Sequence, residues 1–452
     1  LTPSAPSPPL TSRTQEAREV LRLGIPAALT QVGAMMLGIV DTIMVGRLGV
    51  AELDAAALGN LIAMGTMIFG MGCVFGMDPI ATQAHGAGRG DRVGLTLQRG
   101  LVIAGLVAIP VMVAWQLATP MLRLFGQNAA LSQAAGDYLA VQIVSVAPFL
   151  GFQAQRQYLQ ARGVVAPGLY VVLIANAFNV LANWALIFGN LGMPALGLEG
   201  AAIATASTRM FQCIAMALWI RARGHHIGAW VPWTAAALHW SGLLEILRHG
   251  IPIGVQYGLE MWAFQGASLL AGLLGETPLA AHVIVLNLAS MSFMLPLGIS
   301  IAAATRVGNL VGAGRRHQAQ RAAWVSLVLG AMVMAASALT FVALRHVLPR
   351  IFTSDPGVLA LAATLLPIAA AFQLLDGVQV VGGGVLRGLG STRPAAVFNF
   401  VGYYVLALPI GAGLAFTAGL GVAGLWWGLA IGLAVVAVFL VWWIGTRGPA
   451  HR

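Results

Sequence analysis

Apolar residues fall along the chain in twelve long blocks, at 24–46, 55–82, 94–119, 133–155, 165–188, 199–220, 250–274, 280–304, 320–344, 358–385, 395–416 and 422–445, with charges, glycines and prolines gathered between them. A helix needs about 20 mainly apolar residues to cross some 30 Å of hydrocarbon, so each block predicts one spanning helix. Twelve spans, short connections and two tails use up the 452 residues. The expected fold is an all-α integral membrane protein. Composition agrees: 59% hydrophobic and 8% charged residues, with a mean hydropathy of +0.85, exclude a soluble enzyme, a disordered chain or a disulfide scaffold. Cys73 and Cys213 lie apart in apolar blocks and read as packing residues.

The net charge of +10 comes with 24 basic residues, all arginine. Nineteen of them fall in the two tails and the even-numbered connections, against four (Arg47, Arg123, Arg345, Arg350) on the other side, where Glu52, Asp54, Glu276 and Asp355 also lie. This bias predicts cytoplasmic termini and explains the charge without a nucleic-acid partner, since no single basic patch forms. Residues 1–20 read as a disordered tail, 21–222 as a first lobe of six helices, 223–249 as a linker, 250–445 as a second lobe and 446–452 as a C-terminal tail. The linker holds an amphipathic stretch, Leu238–Leu247, expected to lie at the membrane interface, and an adjacent His225–His226 pair without further ligands at metal-binding spacing.

The halves are related in sequence. Leu21-Arg22-Leu23-Gly24-Ile25-Pro26 matches Leu247-Arg248-His249-Gly250-Ile251-Pro252 at an offset of 226, and Gly86-Ala87-Gly88-Arg89 matches Gly312-Ala313-Gly314-Arg315 at the same offset. At 227 the register resumes, pairing Gly163 with Gly390 and Pro167 with Pro394. Six helices per repeat is an even number, so both repeats cross the membrane in the same sense, two pseudo-symmetric lobes of the kind that rock around a shared site in transporters.

Acids within the apolar blocks are expensive, about 2.5 to 3.5 kcal/mol each on insertion scales. Asp41, Glu260 and Asp376 stand out in helices one, seven and ten. Gln256, Tyr257, Glu260 and Phe264 share one helical face, as do Phe372, Gln373, Asp376 and Gln379, and helix five carries Asn176, Asn179 and Asn183 on one face. The plainer reading of each acid is a structural partner for a buried donor, for which Arg209 in helix six is the one candidate cation. The acids ignore the duplication: Asp41 corresponds to Ala267, Glu260 to Ala34 and Asp376 to about Phe149. Asp78, before Pro79, fits a helix end, and Asp137 reads as an acid at a helix start.

Val40-Asp41-Thr42-Ile43-Met44-Val45-Gly46-Arg47-Leu48-Gly49, Gln83-Ala84-His85-Gly86-Ala87-Gly88, Gly258-Leu259-Glu260-Met261-Trp262-Ala263-Phe264 and Leu386-Arg387-Gly388-Leu389-Gly390 resemble the multidrug and toxic compound extrusion (MATE) transporters, and Glu260 points to the NorM-like branch. The resemblance runs from about Leu21 to Trp443. It implies two six-helix lobes arranged as a V and export of organic cations or amphipathic compounds in exchange for Na+ or H+. Asp41, Asn179 and Asn183 would line a cavity in the first lobe, and Glu260 and Asp376 would form a cation site in the second, open to Na+. NorM-like proteins can carry a tyrosine one turn before the helix-ten acid; here it is Phe372, which lacks the hydroxyl.

The expected protein is an antiporter of the inner membrane, a monomer with no cofactor beyond its coupling ion, and not an enzyme. Two other transporters share features with the chain. Asp91-Arg92-Val93-Gly94 resembles part of a major-facilitator loop motif, though Ala87, Thr96 and Leu97 depart from it. A lipid-linked oligosaccharide flippase of the related superfamily would call for a more basic cavity and often two extra helices. No phosphate-binding loop, clustered nucleophile or metal set points to an ATPase or a membrane enzyme.

Overall fold

The computed structural model describes residues 12–451, and the regular elements among them are all helical. Twelve long helices follow the twelve apolar blocks: α1 Arg13–Val45, α2 Val50–Gly86, α3 Gly90–Gln116, α4 Ala129–Ala161, α5 Ala166–Phe188, α6 Gly197–Ala222, α7 Trp240–Leu273, α8 Glu276–Gly312, α9 Arg316–Ala343, α10 Pro356–Gly388, α11 Thr392–Thr417 and α12 Val422–Arg447. Eleven are long and apolar enough to cross a membrane; α7 is not among them. Its second half carries Gln256, Tyr257, Glu260 and Gln265, which lower its hydropathy below that of its neighbours.

Three helices depart from regular winding. A turn at Gly76 interrupts α2, a 3-10 turn at Ile143–Ser145 interrupts α4, and α11 contains two π-helical stretches, Val401–Ala407 and Gly413–Thr417. Asn128 caps α4, accepting a hydrogen bond from the Ala130 amide at 2.8 Å. The helix therefore starts earlier than expected, and Asp137 sits two turns inside it, accepting from Gln133 Nε2 at 3.0 Å.

The duplication is visible in the turns. Gly88 and Gly314 both take positive φ, +72° and +73°. In each loop the next residue's amide reaches back five positions, Arg89 to Ala84 and Arg315 to Leu310, both at 2.9 Å. These are helix C-terminal turns that need a left-handed residue, which glycine adopts without Cβ strain. Gly163 and Gly390, paired at the second offset, both have φ +73°.

The chain forms two compact units. One contains Thr30–Gly254; the other contains the described residues 12–29 with 255–451. The boundaries fall at nearly equivalent points of the repeat, inside α1 and inside α7, so each of these helices begins in one unit and ends in the other. In the first unit the start of α7 lies against α2, where a Cβ on Gly72 would fall 2.2 Å from the Gly254 Cα. In the second, the start of α1 lies against α8 in the same way, with a Cβ on Gly298 falling 2.5 Å from the Ala28 amide nitrogen. Gly72 and Gly298 are equivalent in the repeat, and only glycine permits these backbone approaches.

Several expectations change at these helix starts. Residues 13–20, expected as part of a disordered tail, are the first turns of α1; residues 1–11 lie outside the described part. The helix is held there by Glu16, 2% exposed, which accepts from Arg306 Nε at 2.6 Å and Nη2 at 3.0 Å. Arg306, which falls after the eighth apolar block and is expected in the connection that follows it, is buried in α8. The Leu238–Leu247 stretch is not a separate interfacial helix. From Trp240 onward it is the start of α7, and Leu243 and Ile246 are buried in the core of the first unit. The preceding connection is tied to the same unit: Tyr158 donates to the His225 carbonyl at 2.9 Å and Gln98 donates to the Val231 carbonyl at 2.6 Å. Burial lowers the pKa of His225, and Arg162 and Arg223 reinforce the effect.

The Glu16–Arg306 pair has a measurable signature. Replacing either residue alone by leucine leaves a buried charge unpaired and is expected to cost about 3 to 5 kcal/mol, whereas the double replacement costs much less than the sum. Thermal unfolding of the three variants in detergent reads this as a large coupling; additive losses would show that the pair is not sealed from solvent.

Candidate functional site

Two polar clusters, one in each unit, gather most of the residues singled out by sequence. In the first unit Asp41 of α1 is 6% exposed. Its Oδ1 accepts from Asn183 Nδ2 at 2.6 Å and its Oδ2 from Thr205 Oγ1 of α6 at 2.9 Å. Asn183 Nδ2 also reaches Asn179 Oδ1 at 3.1 Å, as the one-turn spacing on α5 requires. Arg209 does not ion-pair with Asp41. It donates to Gln142 Oε1 at 3.2 Å and Ser145 Oγ at 3.1 Å where α4 is interrupted, close enough for Asp41 to feel its charge. Tyr138 of α4 stands within charge reach of both. Sequence spacing missed Thr205, which lies one turn before Arg209 on α6.

Asn176 belongs elsewhere. Its amide donates to the Gly33 and Val172 carbonyls, both at 2.9 Å, so it fastens α5 to the backbone of α1 rather than joining Asn179 and Asn183.

In the second unit Glu260 of α7 is half-buried and Asp376 of α10 is 4% exposed. The two carboxylates lie within reach of each other's charge. Gln379 Nε2 donates to Glu260 Oε2 at 3.3 Å and approaches Asn399 Oδ1 of α11 at 3.4 Å. Neither acid forms an ion pair among the described residues, and Asp376 has no hydrogen bond there. Phe264 meets both Phe372 and Tyr403 edge-on with ring centroids 5.9 Å apart, and Phe372 meets Trp426 at 5.8 Å.

The helical stripe on α7 therefore divides. Glu260 and Phe264 face the acid of α10. Gln256 lies a turn closer to the arginine-rich end, against Gly383, where a Cβ would come within 3.2 Å of its amide nitrogen. Tyr257 takes a hydrogen bond from Arg387 Nη1, whose Nη2 donates to Ser300 Oγ at 3.0 Å. Tyr257 thus helps hold α7, α8 and α10 together.

Tyr403 is the residue that sequence spacing missed here. It is fully buried in the first π-helical stretch of α11, its hydroxyl has no partner among the described residues, and it lies within charge reach of Glu260 and Asp376. The polar atoms of Gln373 and the Gln379 Oε1 are likewise buried without partners. Two carboxylates, the Gln379 amide and a phenol offer oxygen donors, the kind a hard cation takes rather than zinc or copper. Tyr403 also brings a hydroxyl to the aromatic cluster that contains Phe372, which lacks one.

Comparison with known proteins follows the same outline. The family model MatE matches residues 26–185 and 252–412, once in each repeat. The multidrug resistance protein NorM of Burkholderia vietnamiensis is 37% identical over 98% of this chain and 96% of its own length. Multidrug and toxin extrusion protein 1 of Xenopus tropicalis is 34% identical over 95% of this chain and 75% of its own. The crystal structure of the eukaryotic MATE transporter AtDTX14 superposes with a TM-score of 0.89 over 97% of both chains at 24% identity, a likeness of fold. The chain belongs to the multidrug and toxic compound extrusion family, in its NorM-like branch. It is a multi-pass membrane efflux transporter and not an enzyme.

The different seats of the asparagines predict different phenotypes. Asn176→Ala frees the Gly33 carbonyl and is expected to lower thermal stability by about 1 kcal/mol while leaving transport close to wild type. Asn183→Ala removes a hydrogen bond to a buried carboxylate and is expected to cost about 1.5 to 3 kcal/mol, together with a loss of transport. Melting curves and vesicle uptake on the two variants check the separation; equal transport defects would contradict it.

Proposed function

We propose that the protein is a cation-coupled antiporter that exports organic cations or amphipathic toxic compounds, driven by inward Na+ or H+. The observation that carries this reading is the Glu260–Asp376 pair: two carboxylates within mutual charge reach, one deeply buried, with no basic side chain among the described residues paired to either. Two such charges in a poorly solvated interior call for a compensating cation, and the site offers no fixed one. A proton, Na+ or an organic cation each meets that need. Competition among them gives exchange, because loading one ion releases another.

The surroundings support an organic cation as the exported species. Phe264, Phe372, Tyr403 and Trp426 place aromatic rings around the acids, and such rings attract cations that have shed their water. NorM of Burkholderia vietnamiensis and MdtK of Cronobacter sakazakii are named multidrug resistance proteins, which supports a broad substrate range here. Asp41 with Asn179, Asn183 and Thr205 forms a second acidic cluster in the other unit, which we assign to substrate or to a second coupling ion. The arginine distribution supports cytoplasmic termini and an inner-membrane location. With that orientation, a potential of 100 mV supplies about 2.3 kcal/mol per net inward charge, so no nucleotide is needed.

Purified protein in liposomes, loaded with a dye cation, tests the proposal. Efflux is expected under an imposed Na+ gradient at fixed pH, under a pH gradient without Na+, or under both. Glu260→Gln and Asp376→Asn are each expected to reduce it to the level of empty liposomes. Failure of both gradients to drive dye movement would sink the antiport reading.

If Na+ is the driving ion, the Tyr403 hydroxyl is one of its oxygen partners. Tyr403→Phe is then expected to weaken apparent Na+ affinity about tenfold, equivalent to about 1.4 kcal/mol. Adding Phe372→Tyr in the same chain returns a hydroxyl to the site and is expected to restore much of the loss. Unchanged Na+ dependence in Tyr403→Phe would remove Tyr403 from the site.

A further inference from the structure

His282 of α8 is a buried titratable side chain outside both acidic clusters, with 0% of its surface exposed. Its Nε2 lies 3.0 Å from the Ser268 hydroxyl of α7. That hydroxyl has a single proton and gives it to the Phe264 carbonyl at 3.0 Å, so Nε2 carries the ring proton and donates to Ser268. Nδ1 is left as an acceptor, buried and without a partner among the described residues. Burying such an atom costs free energy that a leucine or phenylalanine in the same place would not incur. The imidazole does what those residues cannot: it fastens Ser268.

We propose that His282 is a positioning residue for the exported organic cation, holding Phe264 in place beside Glu260; this rests on the reading that the Glu260–Asp376 cluster takes that cation. The contacts form a closed circuit through four helices. His282 holds Ser268, and Ser268 holds the carbonyl of Phe264 one turn earlier on α7. From its other side the Phe264 ring meets Phe372 of α10 edge-on at 5.9 Å, Phe372 meets Trp426 of α12 edge-on at 5.8 Å, and Trp426 returns to His282 at 5.7 Å. His282 thus touches both ends of a path that starts and finishes at Phe264. Exposure identifies the ring that a ligand meets: Phe372 and Trp426 are 2% and 0% exposed, whereas Phe264 is only partly buried. Phe264 also lies one turn beyond Glu260 on the same face of α7.

A ring attracts a cation over its face, so the attraction depends on how the ring is turned. A phenylalanine held by one neighbour can swing; one held through its own helix turn and through its ring edge keeps a single orientation. His282 acts on that orientation without touching the cation. It therefore sets how tightly the organic cation binds and leaves the carboxylates of Glu260 and Asp376 as they are.

Ethidium, an aromatic cation, serves as the probe: its equilibrium binding to the full chain in detergent is compared with its gradient-driven efflux from liposomes. His282→Leu is expected to weaken ethidium binding and raise KM about fivefold, with a maximal efflux rate within about twofold of wild type, since part of the cation–π attraction is lost and the acids are untouched. Ser268→Ala leaves the imidazole in the chain and is expected to weaken ethidium about threefold, whereas Ser268→Thr, which keeps the oxygen, binds as the wild type does. Joining Ser268→Ala to His282→Leu is expected to add nothing to His282→Leu alone, because both break one connection. Ser268→Ala carries the test by itself if His282→Leu does not fold. Wild-type ethidium affinity in Ser268→Ala or in folded His282→Leu, or additive losses in the pair, would overturn the proposal. So would a maximal rate that falls together with the melting temperature at unchanged KM, which would make His282 a packing residue only. Efflux absent from the wild type under either gradient, with the affinity differences intact, would instead overturn the antiport reading and support this one.

Discussion

A carboxylate in an apolar interior must be compensated, and this constraint organises much of the molecule. Three of the buried acids meet it in three ways. Glu16 is met by Arg306 in a two-point ion pair, and the result is a fixed fastening of α1 to α8. Asp41 is met by neutral donors, Asn183 and Thr205, with Arg209 of α6 held off by Gln142 and Ser145 of α4. Asp376 is met by no hydrogen bond or ion pair among the described residues. The gradation runs from structure to chemistry: the more completely the protein supplies the partner, the less an acid can exchange it. Of the three, the last arrangement leaves the most room for a mobile cation.

The scaffold around these acids is a duplicated one, and the two classes of residue behave differently under the duplication. Gly88 and Gly314 close the same turn with the same left-handed backbone, and Gly72 and Gly298 permit the same close helix approach in their respective units. Such residues answer to backbone geometry, which both repeats share. Asp41, Glu260, Asp376 and Arg306 have no counterparts at the equivalent positions. Chemistry has been placed on a symmetric frame one residue at a time, so each unit has its own electrostatic character.

Much of this was readable from the chain alone. Twelve apolar blocks became twelve helices because hydrocarbon thickness sets a strong lower limit on length, and the interior acids stood out because charge is so scarce. Helical spacing brought Asn179 to Asn183 and set Glu260 beside Phe264, as local geometry demands. What spacing could not supply was contact between distant helices. Asn176 shares a face with Asn183 yet turns to the α1 backbone, and Tyr257 shares a face with Glu260 yet pairs with Arg387. Tyr403 escaped notice because a π-helical stretch changes which face a residue presents, and no simple residue pattern announces that winding. Arg306 reads from sequence as a connection arginine and Glu16 as part of the tail, since nothing local reveals a partner on a distant helix.

The way α1 and α7 each begin in one unit and end in the other has a consequence for biogenesis. Glu16 and Arg306 are separated by 290 positions in the chain. At a synthesis rate of about 5 to 20 residues per second, the first helix emerges roughly 15 to 60 seconds before its charge partner exists. During that interval the start of α1 has neither α8 to pack against nor a counter-charge for its glutamate. The first six helices cannot complete their own unit either, because its last piece is the beginning of the seventh. Neither half of the duplicated chain is thus a finished folding unit when its ancestral boundary is reached, and assembly is deferred until the second half has been inserted.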